Sequence, residues 1–288
     1  MPARLPRRLR LPAIATAVLL AAALGPVSLA TAGASAAAHS PSAGAHPGKK
    51  PTIVLVHGAW AGASSWGAVT AELQHKGFTV DVAPNPLRGL AEDSAYLQDY
   101  LATIPGPIVL VGHSYGGAVI TDAALGNKNI KALVYDDAYI PAQGENVATL
   151  SGPDSALAAA GADPTKVFKL VPYPGAPKGI FDTYVLPGVF IKGLAGDLPR
   201  TEAAVLAASQ SPTSLLALGE PSSAPAWKSI PSWDLVGKQD RIIPLAQQLM
   251  MAHRAHSHIT EINSSHLSLI SHPAAVTKVI LRAIHAVG

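Results

Sequence analysis

The stretch IVLVGHSYGG, residues 108–117, decides the fold. Its first four residues are apolar and read as a buried strand, and the small-residue run GGAVITDAAL from Gly116 reads as a helix. Between them stands Ser114, with Gly112 two positions before it and Gly116 two after. In a chain with 25 glycines the spacing G-x-S-x-G is cheap, so the flanking strand and helix carry its meaning. A strand that turns sharply into a helix forces the central residue into a strained backbone conformation. Side chains at 112 and 116 would collide with neighbouring backbone, which explains both glycines. The turn lifts the serine Oγ clear of the surface, and the N-terminus of the following helix supplies positive potential there.

The same alternation runs outward in both directions. Apolar strand runs are expected at 52–56, 78–84, 107–112, 130–137, 232–237 and 258–262, and helices at 64–76, 92–103, 116–125, 244–254 and 273–286. Near-continuous apolar strands alternating with helices imply a mostly parallel six-stranded sheet covered on both faces. Between 141 and 228 the rhythm breaks: this segment holds eleven of the chain's 25 prolines. A gap that long between successive strands exceeds an ordinary connection. Its apolar runs, FDTYVLPGVFIKGLAG and EAAVLAAS, need burial, so it is expected to be a helical cap or lid inserted after the fourth strand.

The first residues have a different character. MPARLPRRLR carries Arg4, Arg7, Arg8 and Arg10, the apolar run LPAIATAVLLAAAL follows, and ATA (30–32) and ASA (34–36) come next. This reads as a cleavable secretory signal over 1–36, the apolar run being short against the ~20 residues of a membrane span. The expected product is secreted, without stable membrane association after cleavage. Residues 37–50, small, polar and Pro/Gly-rich, read as a flexible leader. Loss of the four signal arginines takes the formal net charge from +3 to −1, so the basic balance belongs to the targeting segment and nothing points to nucleic acid. The chain has no cysteine, which excludes disulfides, thiolate nucleophiles and Cys-ligated metal.

The elbow around Ser114 resembles the nucleophile elbow of the α/β-hydrolase superfamily. VLVHGAW, GHSYGG, VGKQDRIIP and SSHLSLISHP place the resemblance closest to the small single-domain branch of plant methylesterases, hydroxynitrile lyases and bacterial esterase-like proteins. It covers about 51–140 and 229–288, the core, with 141–228 as the cap. The superfamily's first two strands have no counterpart before Pro51, so a trimmed core is expected. The family's strand order would arrange the sheet as 78–84, 52–56, 107–112, 130–137, 232–237, 258–262.

A serine needs a base to take its proton and an acid to orient that base. The superfamily's chain order of Ser, Asp and His is matched by Ser114, Asp240 in DLVGKQDRIIP and His266 in EINSSHLSLISHP. Asp136 or Asp137, after the fourth strand, is the rival acid, and His272, next to Pro273, the rival base. The superfamily's His-Gly-x motif is matched by His57, Gly58 and Ala59. This implies an oxyanion hole from the backbone N–H groups of Ala59 and Tyr115, with Trp60 the donor if the loop is shifted by one, and His57 as a neutral structural ring. Substrate-binding residues are expected to include Trp60, Phe181 and Tyr184, with Val185, Leu186, Val189, Phe190 and Ile191 continuing an apolar wall.

The resemblance implies a serine hydrolase cleaving small-molecule carboxylic esters through an acyl-enzyme, and the N-terminal signal pattern makes it a secreted one. No metal or cofactor is expected; His253, His256 and His258 read as a solvated helix end and strand start rather than zinc ligands. A serine at the elbow argues against dehalogenase or epoxide-hydrolase chemistry, which uses aspartate there. Two alternatives stay open. One is a hydroxynitrile-lyase-like enzyme, recruiting a cap lysine from Lys166, Lys169, Lys178 or Lys192. The other is a ligand-binding protein of the same fold with negligible turnover.

Overall fold

The computed structural model describes residues 50–288, and the expected signal segment and leader residues 37–49 lie outside them. In chain order the elements begin with β1 (Thr52–Val56), α1 (Gly67–His75), β2 (Val80–Ala83), α2 (Leu90–Ala102), β3 (Ile108–His113), α3 (Tyr115–Ala123) and β4 (Ile130–Asp136). The segment that follows carries α4 (Val147–Leu150), β5 (Phe168–Val171), β6 (Asp182–Val185), α5 (Pro187–Gly193), α6 (Arg200–Ala208), β7 (Thr213–Ser214) and α7 (Leu215–Gly219). The chain ends with β8 (Ser232–Gly237), α8 (Leu245–Arg254), β9 (His258–Ile262), α9 (Ser268–Ser271) and α10 (Pro273–Val287).

Six strands form one sheet in the order β2-β1-β3-β4-β8-β9, as expected from the resemblance, and every pair in it is parallel. β3 is buried along its whole length because helices cover both faces: α2 packs on α3, and α1 on α10. Apolar residues on both sides of a strand are what such double coverage demands. The register aligns carboxyl ends, with Val56 opposite Gly112 and His113 opposite Asp136. The loops carrying His57, Ser114, Asp137, Asp240 and His266 therefore all open from one edge of the sheet.

The segment between β4 and β8 is not only helical, contrary to expectation. It contains a second sheet, antiparallel, in the order β5-β6-β7. FKLV and DTYV supply the β-branched and aromatic residues of a strand pair. The prolines that suggested irregular structure, Pro172, Pro174 and Pro177, lie in the connection between those strands. This segment is tied to the core at several points. Ser155 Oγ donates to the Ile242 carbonyl at 2.7 Å, Ser214 N–H to the Leu87 carbonyl at 2.9 Å, and Arg88 pairs with Asp182 at 2.8 Å.

Candidate active site

Ser114 caps the N-terminus of α3 with φ 53° and ψ −125°, a backbone conformation that costs a non-glycine residue roughly 1–3 kcal/mol. Three glycines make that turn possible. A Cβ on Gly112 would lie 2.5 Å from the Gly116 carbonyl oxygen, one on Gly116 2.6 Å from that of Val56, and one on Gly58 2.7 Å from the Cβ of Ser114. The strain is held by hydrogen bonds on both sides of the serine. Its N–H donates to the Asp136 carbonyl (3.2 Å), and its own carbonyl accepts from Gly117 (2.9 Å) and Tyr139 (3.2 Å).

Ser114 Oγ lies 2.8 Å from Nε2 of His266, and Nδ1 of that ring lies 2.7 Å from Oδ2 of Asp240. These three residues are brought together from the ends of β3, β8 and β9. With Nδ1–H donating to the carboxylate, Nε2 is left as an acceptor for the serine hydroxyl. Asp240 is itself held by four donors. Its Oδ1 accepts the N–H groups of Ile242 (2.7 Å) and Ile243 (3.0 Å), and its Oδ2 accepts Gln248 Nε2–H (3.1 Å) as well as the imidazole. Gln248 went unnoticed in the sequence because its link to Asp240 needs the first turn of α8 to fold back over the loop.

The rival acids occupy other positions. Asp136 Oδ1 accepts Ser268 Oγ–H at 2.7 Å, and Asp137, at φ 45°, has Oδ1 buried without a partner. Burial pushes the Asp136 carboxyl up to about 7, against the opposing bond from Ser268. Burial, and then neighbouring Asp136, push Asp137 well above the ordinary range. Neither carboxyl bonds the His266 ring. His272, the rival base, lies near Asp197 at 3.6 Å and bonds Ser271 rather than the nucleophile.

Around His266 the polar contacts are equally specific. Its carbonyl accepts Nε2–H of His113 at 2.8 Å. Burial, with His266 and His57 nearby, lowers the His113 ring to about 3, so it stays neutral. His57 is also lowered, chiefly by burial, and its Nδ1–H donates to the Gly58 carbonyl at 3.0 Å. Both rings act as neutral donors inside the loop framework, as expected for His57.

The N–H of Ala59 and of Tyr115 have no protein acceptor among the described residues. Trp60 N–H is already committed to Thr213 Oγ1 at 2.9 Å, which removes the shifted alternative. The Tyr115 side chain points away, donating to Asp93 Oδ2 at 2.6 Å, so only its backbone faces the elbow.

Two expectations about access need correction. Ser114 is 3% exposed and His266 1%, so the serine is not lifted into solvent. The expected wall of Phe181 and Tyr184 is also displaced. Thr183 points toward Trp60, accepting its Nε1–H at 3.0 Å, and side chains alternate along a strand, so Tyr184 faces the other way. Tyr184 lines a separate surface cleft with Lys169 and Gln210, and Phe181 lines neither that cleft nor the apolar cavity. That cavity, of about 470 Å³, is lined instead by Val147, Leu157, Phe168, Leu215 and Leu218 among others. Two of its lining residues contact loops that follow β1 and β4. Phe168 stacks on Trp60 with ring centroids 5.4 Å apart, and Ser151, also in its wall, bonds the hydroxyl of Tyr139 at 2.7 Å. Among the described residues no cluster of three or more potential metal ligands is present.

Residues 53–279 match the model of the alpha/beta hydrolase family. The chain belongs to that family. Solved structures similar to this alpha/beta hydrolase include a pyrethroid hydrolase from Sphingobium faniae JZ-2, at 20% identity and a TM-score of 0.65 over 82% of this chain and 98% of that one. A methylesterase from Arabidopsis superposes with a TM-score of 0.65 at 18% identity, over 82% and 99% of the two chains. An extracellular alpha/beta-hydrolase from a Paenibacillus species gives 0.63 at 20% identity, over 81% and 98%. In sequence, a carbendazim-hydrolyzing esterase from Nocardioides sp. (strain SG-4G) is 34% identical over 112 residues. That match takes in 34% of this chain and spans 46% of the esterase's length.

Proposed function

We propose that this alpha/beta hydrolase cleaves uncharged carboxylic esters through a covalent acyl-enzyme, with Ser114 as nucleophile, His266 as general base and Asp240 as the acid that orients it. The observation that supports this reading is the unbroken chain from Ser114 Oγ through His266 to Asp240, with links of 2.8 and 2.7 Å. His266 Nε2 takes the hydroxyl proton as Oγ attacks the ester carbonyl. The negative charge that develops on the carbonyl oxygen is met by the free N–H groups of Ala59 and Tyr115 at the positive end of α3. The imidazolium then protonates the departing alkoxide, and water repeats the sequence to release the acid.

The cavity walls carry few charges, so an unpaired carboxylate would be costly to bury there and neutral substrates are favoured. The similar proteins named for hydrolysis of carbendazim and pyrethroids agree with such substrates. A hydroxynitrile-lyase reading would need a cationic cap lysine at the serine. Lys166, Lys169, Lys178 and Lys192 are all exposed, and none bonds a triad atom.

The charge and hydropathy pattern of residues 1–36 supports export, with cleavage after Ala32 or Ala36. N-terminal sequencing of protein from the culture supernatant tests this, and a chain retained in membranes with its N-terminus intact refutes it. The catalytic reading is tested with a fluorophosphonate probe and a panel of p-nitrophenyl esters. Rapid labelling and turnover, both abolished in Ser114→Ala, are expected; a k_cat loss of about 10³-fold or more is the scale for such a serine. A protein that folds and is inert to both reagents is a binding protein instead.

A further inference from the structure

One carboxylate outside the triad is placed against the segment that carries its base. Asp197 lies between α5 and α6, in the segment inserted after β4, and is partly buried. Its Oδ2 accepts the N–H of Ser265 at 3.0 Å and the hydroxyl of Ser271 at 2.9 Å, and its Oδ1 accepts the hydroxyl of Ser265. Ser265 immediately precedes His266, and Ser271 ends the short helix α9 that follows it. A single side chain thus fastens both ends of the base-bearing segment.

The inserted segment makes one more bond here, from Ser265 Oγ to the Leu194 carbonyl at 3.0 Å, so that hydroxyl is shared between Leu194 and Asp197. Further contacts come from the sheet side. His113 donates to the His266 carbonyl at 2.8 Å, and Ser268 Oγ donates to Asp136 at 2.7 Å. Those bonds hold the middle of the segment, while Asp197 bonds both of its ends, at Ser265 and Ser271. Burial alone would raise the Asp197 carboxyl, but the bonds from Ser265 and Ser271 outweigh it and hold the group below the usual carboxylate range. An ionised carboxylate accepting three hydrogen bonds makes a stiff anchor.

We infer that Asp197 is a positioning residue for the proposed hydrolysis: by bonding Ser265 and Ser271 it sets the reach of the His266 ring between Ser114 and Asp240, so that the inserted segment takes part in assembling the triad. This rests on the triad reading above. A displacement of about 1 Å at a reacting group can cost on the order of 100-fold in rate. Asn at 197 preserves the shape but removes the charge and replaces one acceptor oxygen with a donor that cannot receive a Ser hydroxyl.

The test is Asp197→Asn in the full chain, read by steady-state kinetics on a p-nitrophenyl ester. The second readout is the far-downfield proton resonance of His266 Nδ1–H bonded to Asp240, which requires no turnover. Circular dichroism and thermal melting serve as the folding control. The expected result is a k_cat lower by roughly 10- to 100-fold with K_M within about threefold, and a broadened or lost downfield signal in a folded protein. Unchanged k_cat and an unchanged signal overturn the assignment, because Asp197 would then only fasten the insertion. A rise in K_M with k_cat intact overturns it too, assigning Asp197 to the substrate cavity. Should Asp197→Asn fail to fold, Ser271→Ala removes one bond and should show the same two effects to a smaller degree; their absence there is equally decisive. If the wild-type protein neither turns over esters nor labels at Ser114, the catalytic reading fails while the resonance still reports on Asp197.

Discussion

His266 Nδ1 sits 2.7 Å from Asp240 Oδ2, while Asp136 and Asp137, four strands closer in sequence to Ser114, do not bond the ring at all. The carboxylate that bonds the imidazole is thus the one in the loop after β8. Replacing Asp240 by Asn should lower k_cat by about 10⁴-fold, because the amide neither holds the productive tautomer nor stabilises the imidazolium. Asp137→Asn should keep most of the activity. Parallel assays of the two variants at pH 7.5 check this, and the reverse ranking would transfer the acid to the end of β4.

Gly58 should tolerate no side chain. A Cβ there would stand 2.7 Å from the Ser114 Cβ and 3.0 Å from His113 Nδ1, neither of which belongs to a flexible chain end. Gly58→Ala should push the Ala59 N–H and the nucleophile apart, with a k_cat loss of about 100-fold on the scale of losing one oxyanion donor. Stopped assays with the fluorophosphonate probe should show slower labelling of Ser114. A variant with wild-type labelling and turnover would show that the loop yields without consequence.

Asp234 should be a stability cost that grows with pH. It is buried in β8 with Oδ1 unpartnered, and burial, followed by nearby Asp136, pushes its carboxyl well above the ordinary 3.8. A folded-state value above the unfolded one means that the folded state holds the proton more tightly. The group's stabilising contribution is therefore complete below pH 3.8 and is lost as pH rises from there through its folded value. Asp234→Asn removes this dependence. It should raise Tm at pH 8, by about 2–4 °C for each kcal/mol recovered, and the gain should shrink toward pH 5. Melting curves of the two proteins from pH 5 to 8 are the check, and a gain that grows toward acid would contradict the burial argument.

The apolar cavity beside Trp60 should set acyl or alkyl length. Leu218→Trp places a larger ring into its wall of Val147, Leu157, Phe168 and Leu215. K_M for long-chain p-nitrophenyl esters should rise about tenfold or more, since each buried methylene is worth about 0.8 kcal/mol. The acetate should change by less than threefold. Equal effects on short and long esters would remove the cavity from the substrate path.

The residues that make the elbow were legible because their constraint is local. Gly112, Ser114 and Gly116 lie within five positions, and the collision that forbids a side chain at 112 involves the backbone of the same turn. The central strands were legible for a similar reason: β1, β3, β4 and β8 are short, largely apolar runs with nearly every residue buried, while β2 and β9 at the sheet edges are mostly half-buried or exposed. The second sheet was not. Its strands are four residues or fewer, and FKLV and DTYV look like fragments of a helical insertion until they pair.

The sequence by itself therefore determined the strand and helix alternation and the strained turn at Ser114, because both follow from steric and periodic rules acting over a few residues, whereas Asp240 and His266 were legible only through the resemblance of their motifs to the family's chain order. Only the tertiary structure decided that Ser114 is buried, that Tyr184 faces away from Trp60, that Asp240 rather than Asp137 meets the imidazole, and that Asp197 reaches Ser265 and Ser271. The physical reason is that these are relations between groups as many as 153 positions apart, such as His113 Nε2 with the His266 carbonyl. Their distances are set by sheet register and by which face a strand presents, and no local pattern of residues encodes either.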